Sequence, residues 1–222
     1  MSGKTAAVIG ATGMIGNYLL DQLISDPYFE TIRVIVRKPF IKTSDKIEVK
    51  PVDFNDYESL KLAIDGSDIL FCAIGTTQKN VKGNKELYRK VDYDIPVKAA
   101  RICMETGCRK LLIVTAIGAN SRSNTFYIRL KGEVEDAIAQ SGVESIQIFQ
   151  PSMLLGERKE NRPAEKIFQV ISKATSFLLL GSLRKFKPIH GKEVAKAMLI
   201  ASKKSSDGIY RYTYDDMKKL LA

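Results

Sequence analysis

The order of apolar and polar positions gives the first outline of the fold. Apolar runs of strand length fall at residues 6–10, 31–36, 47–52, 69–74, 111–115 and 145–150. Between them lie amphipathic stretches at 13–25, 56–64, 84–106 and 123–140, each long enough to carry the chain from one strand to the next. Such alternation marks successive β-α-β units. Crossovers of this kind are right-handed in nearly all proteins, so six such strands predict a doubly wound parallel sheet with helices on both faces, an α/β fold of Rossmann type.

After Pro151 the pattern loosens. A basic, polar loop at 157–162 precedes an apolar helical stretch at 167–180, then Pro188, a helix at 191–202 and a short strand at 209–214. A chain of 222 residues without repeats or a low-complexity linker reads as one domain, 1–222. Residues 1–150 are expected to form its dinucleotide-binding core, and 151–222 a small appendage on the substrate side.

The first strand ends in Gly10-Ala11-Thr12-Gly13-Met14-Ile15-Gly16, a G-x-x-G-x-x-G that opens a helix. Glycines let the backbone turn tightly and approach a pyrophosphate, and the helix N-terminus offers free N–H groups at the positive end of its dipole. The second strand ends Val36-Arg37-Lys38, where an acid would hold the ribose hydroxyls of NAD. Arg37 and Lys38 suit a 2′-phosphate instead, so NADP(H) is expected ahead of NAD(H). Asp53, beside Phe54 after strand three, suits the adenine amine, with a helix N-cap as its competing role. Ala73, Ile74, Gly75 and Thr76 follow strand four and leave room for the cofactor's ribose.

Tyr127 and Lys131 form a Tyr-x-x-x-Lys, whose ends share one helix face. A neighbouring ammonium stabilises a phenolate and makes the phenol a usable proton donor or acceptor. Tyr57/Lys61 and Tyr214/Lys218 have the same spacing, so position must choose. Only Tyr127/Lys131 follows strand five, on the nicotinamide side of such a sheet.

Taken together, the phosphate loop, Phe71 through Thr77, Val91-Asp92-Tyr93-Asp94, Tyr127 through Glu133 and Gln150 through Arg158 resemble the Tat-interacting-protein oxidoreductase family, an atypical branch of the short-chain dehydrogenases/reductases. The resemblance spans nearly the whole chain. It implies NADPH binding and a reductase activity, with Gly10, Gly13 and Gly16 at the pyrophosphate, Arg37 at the 2′-phosphate and Tyr127 with Lys131 as the catalytic pair; hydride transfer between NADPH and a small carbonyl substrate is the expected reaction. It also implies that Pro151, Ser152 and Met153 line the cofactor pocket, and that the segment around His190 docks a C-terminal helix. The superfamily's strand-five serine is replaced by Ala116, which makes Thr115 the nearest hydroxyl and a third catalytic candidate. That departure supports a second reading, a non-catalytic NADP(H) sensor.

Composition narrows the setting. Cys72, Cys103 and Cys108 are odd in number and lack metal-ligand spacing, which fits a reducing compartment. With no cleavable leader and no bilayer-length apolar run, a cytoplasmic protein is expected. The net charge of +10 leaves peripheral membrane contact open, while the absence of an aromatic-basic signature argues against nucleic acid. Monomer and homodimer both remain open. A semialdehyde dehydrogenase with a cysteine nucleophile would need an activated thiol and a second domain, and neither is visible.

Overall fold

All six apolar runs become parallel strands: β1 (Lys4–Ile9), β2 (Phe29–Val36), β3 (Ile47–Pro51), β4 (Ile69–Cys72), β5 (Lys110–Val114) and β6 (Ser145–Phe149). The computed structural model describes residues 3–38, 40–77, 79–156, 181–205 and 207–222. A small parallel pair, β7 (Leu154–Leu155) with β8 (Ile189–His190), lies apart from the main sheet. The late strand, β9 (Gly208–Tyr212), pairs with β6, so it completes the main sheet in the order β3-β2-β1-β4-β5-β6-β9. The stack of Tyr212 on Phe149, with centroids 4.8 Å apart, fastens it there.

The central strands read as unbroken apolar runs because both of their faces are covered. In β4, Leu70 and Cys72 pack beneath α2 (Tyr57–Ile64), α4 (Ile95–Thr106) and α5 (Phe126–Ala139). Ile69 and Phe71 pack against the opposite layer, made of α1 (Met14–Ser25), α6 (Gly191–Ser202) and α7 (Tyr214–Leu221). The latter two helices supply Val194, Met198 and Met217 to that core, so the C-terminal part of the chain packs directly against α1.

The helix expected at 84–106 is divided. It runs as α3 (Lys85–Arg89), a π-helical turn at Lys90–Asp94, and α4. Pro96, in the first turn of α4, has no N–H to give the carbonyl of Asp92, which removes the α-helical bond that would make the helix continuous. His190 caps α6: its Nδ1 accepts the Lys192 N–H at 3.1 Å, and Glu193 returns a bond to the His190 N–H. That is the structural use expected for this segment. The basic loop at 157–162, with Arg158, Lys159 and Arg162, and the apolar stretch at 167–180 lie outside the described residues.

Candidate active site

Since all seven main-sheet strands are parallel, every loop that leaves a strand C-terminus emerges at one edge. Sequential order reverses between β1 and β4, and the crevice at such a reversal is where open α/β sheets bind ligands. Gly10 and Ala73 form its walls. Gly10 has φ +88°, and a Cβ there would lie 2.6 Å from the Ala73 backbone, so only glycine lets these loops meet. A Cβ on Gly16 would lie 2.1 Å from the Gly10 carbonyl oxygen, which is why α1 can start directly against β1. The N-cap of α1 is Gly13, with no side-chain cap and no acid in the first turn. The first-turn N–H groups of Met14, Ile15 and Gly16 therefore face the crevice loop without a side-chain acceptor, the arrangement a pyrophosphate fits.

The other expected cofactor contacts stand along the same edge. Thr12 is exposed in the turn, while Met14 and Ile15 pack toward the α1 layer. Arg37 and Lys38 are exposed just beyond β2, with no hydrogen bond or ion pair among the described residues. Asp53 is exposed beyond β3 and binds the Asn55 backbone N–H at 2.9 Å, whereas Asp56 is the cap of α2. Its competing role is thus filled by another residue. Phe54 is buried in the core. Pro151 and Met153 use their carbonyls on Ile117 and Ile189, and Ser152 donates to the Lys187 carbonyl, so this segment is tied to the β8 turn.

Tyr127 and Lys131 lie one turn apart on α5, beside the loop that follows β4. The Lys131 ammonium is 5.9 Å from the Tyr127 ring centroid, and the Tyr127 ring packs edge-on against Tyr88, whose hydroxyl donates to the Thr76 carbonyl at 3.1 Å. The Tyr127 hydroxyl has no partner among the described residues. Lys131 is 5% exposed and pairs with Asp92, 1% exposed, at 2.8 Å. Burial opposes the charge on Lys131, but the Asp92 carboxylate outweighs it and raises the ammonium above the ordinary lysine value. The other Asp92 oxygen accepts the Thr76 N–H at 2.7 Å. Asp92 falls within the Val91–Asp94 run, but the sequence pattern assigns it no role. Its signal is an acid one helical turn, four residues, before Pro96.

Thr115 is turned the other way. Its hydroxyl donates to Glu135 at 2.7 Å, and Glu135 also accepts from Gln150 at 2.8 Å and Arg211 at 3.0 Å. The donor expected to polarise a carbonyl is thus committed to α5, and Ala116 beside it is buried. A cleft of about 460 Å³ opens next to this cluster, lined by Asn120, Ser121, Glu135, Asp136, Gln150 and Arg211. Neither Tyr127 nor Lys131 lines it, so it is distinct from the crevice. Burial pushes the Cys72 thiol up to about 11, which makes it a core residue and a poor nucleophile. Among the described residues there is no group of side chains that could hold a metal ion, and no helix is long and apolar enough to cross a membrane.

Known proteins agree with this architecture. Residues 10–177 match the family described as NAD(P)H-binding. Protein FMP52, mitochondrial, of Candida albicans is 32% identical over 206 residues, covering 90% of this chain and 89% of its own. Protein HTATIP2 of Rattus norvegicus is 29% identical over 168 residues, covering 74% and 69%. The Bordetella bronchiseptica enzyme WbmH, solved in complex with NAD+, superposes with a TM-score of 0.73 over 96% of this chain and 76% of its own, at 13% identity, and so shares the fold. The expectation of a cytoplasmic protein is overturned here: the FMP52 relatives, including those of Candida glabrata and Emericella nidulans, are named as mitochondrial proteins. With its glycine crevice, its sheet order and these relatives, the chain belongs to the NAD(P)H-binding family, with FMP52 and HTATIP2 among its relatives.

Proposed function

We propose that the protein is an NADP(H)-dependent reductase of a small carbonyl compound, with Tyr127 as general acid and Lys131 as its electrostatic partner. The observation that carries this reading is a Tyr127 hydroxyl without a partner among the described residues, beside a buried ammonium on the helix that borders the β4 loop. The bound nicotinamide supplies the hydride. Tyr127 gives the proton to the carbonyl oxygen, and Lys131 favours the phenolate left behind. The glycine loop and first turn of α1 hold the pyrophosphate, Arg37 and Lys38 take the 2′-phosphate, Asp53 takes the adenine, and residues 73–76 and 151–153 flank the ribose and nicotinamide. In this reading the described residues after Gln150 belong to the same domain and border the substrate.

The test is NADPH oxidation over a panel of aldehydes, ketones and quinones. Tyr127→Phe should lower turnover about 10²- to 10⁴-fold while NADPH still binds. Unchanged turnover overturns the assignment. Arg37→Ala should weaken NADPH binding about 10- to 100-fold and leave NADH binding unchanged, as loss of a charge-assisted contact requires. Equal effects on both cofactors would remove Arg37 from the 2′-phosphate.

One observation favours a second reading, an NADP(H) sensor without catalysis. Thr115 donates to Glu135 and Ala116 stands at the serine position, so a substrate carbonyl lacks one preorganised donor, typically worth about a hundredfold or more in rate. NADPH binding without turnover on any compound of the panel would support it.

A further inference from the structure

We propose that Asp92 is a positioning residue that locks the Lys131 ammonium to the loop after β4 and maintains its positive charge beside Tyr127. The proposal rests on the reading of Tyr127 and Lys131 as the reactive pair, but its test does not depend on turnover.

The geometry is a two-sided bridge. Asp92 Oδ1 accepts from Lys131 at 2.8 Å and Oδ2 accepts the Thr76 N–H at 2.7 Å, so the carboxylate joins α5 to the crevice loop. The loop runs alongside the carboxylate at Gly75, where a Cβ would stand in ordinary contact 3.5 Å from Asp92 Oδ1. The π turn at Lys90–Asp94 sets Asp92 facing α5, and π turns inside helices are frequent at functional sites.

A lysine buried to this depth without an anion is driven toward the neutral amine, by up to about 3–5 pH units. Neutral Lys131 would neither favour a phenolate at Tyr127 nor attract an anionic nucleotide. The titratable groups acting on it are Asp92 from the π turn, Tyr127 from its own helix and Cys72 from β4, with burial opposing them. Tyr127 and Cys72 are neutral in their protonated forms, and Arg89 and Glu133 pair with each other. Asp92 is therefore the residue on which the charge depends.

The experiment is carbon-13 NMR of ε-labelled lysines in the full chain without cofactor, with Lys131 assigned by its loss in Lys131→Arg. Wild-type Lys131 should titrate above the ordinary value of 10.5. In Asp92→Asn it should titrate lower by about 2 units or more. NADPH affinity, followed by fluorescence, should then fall across that lower range in the variant alone. An unmoved Lys131 titration in folded Asp92→Asn overturns the proposal. If Asp92→Asn does not fold, Asp92→Glu decides: it keeps the charge, so Lys131 should still titrate above the ordinary value, and a fall below it overturns the proposal. A Lys131 titration that moves in Asp92→Asn, together with unchanged turnover in Tyr127→Phe, would retain Asp92 as the charge-setting residue and discard only the catalytic reading.

Discussion

Two Tyr-x-x-x-Lys pairs sit in one helical layer, on either side of α4, with opposite chemistry. On α2, the Tyr57 hydroxyl donates to Glu105 at 2.7 Å and Lys61 reaches the same carboxylate at 2.9 Å. The anion stands between the two ends, and burial, together with that anion, pushes the Tyr57 phenol up to about 12. Of the pair on α5, the carboxylate of Asp92 binds the lysine and not the tyrosine, whose hydroxyl has no partner among the described residues. The third pair is divided, since Lys218 bridges to Glu193 on α6. Spacing alone makes a motif; the position of the anion decides whether the tyrosine can exchange a proton with a substrate.

Turnover separates the pairs most widely. Against the two to four orders of magnitude expected for Tyr127→Phe, Tyr57→Phe should leave NADPH oxidation at the wild-type rate. A loss of similar size in Tyr57→Phe would break the comparison. Stability comes next: Lys131→Met leaves the Asp92 carboxylate buried and without its cation, at a cost of about 3–5 kcal/mol in urea unfolding. Lys61→Met, at a solvent-exposed bridge, should leave the urea midpoint unchanged. The smallest effect is in alkaline titration. The folded value of about 12 for Tyr57 lies above its ordinary 10.0, so its contribution to stability is complete below pH 10 and is lost as the pH rises toward 12. Phenolate absorbance should therefore show a late-ionising tyrosine that disappears in Tyr57→Phe.

What the sequence revealed follows from where each constraint is written. The phosphate loop is legible because backbone approach demands glycine at Gly10 and Gly16, and no other residue fits. The inner strands are legible because burial on both faces makes them mostly apolar, without a break in β4 and interrupted in β6 only by the buried Ser145 and Gln147. β9 is exposed along most of its length, so its apolar signal is weak and its place beside β6 could not be read. The direction of Thr115 depends on where a strand ends, and one residue reverses it. Asp92 depends on a contact 39 residues away and on a π turn that helical periodicity does not encode.

Glu135 carries a consequence for the order in which the molecule assembles. Its carboxylate is 4% exposed, and its only cationic partner among the described residues, Arg211, lies 76 residues later. During synthesis α5 leaves the ribosome well before β9 does, so until then that anion has only the Thr115 and Gln150 donors beside it. Helix α5 can seat fully only when the edge strand arrives, which makes β9 a late fastener for the element that bears Tyr127 and Lys131.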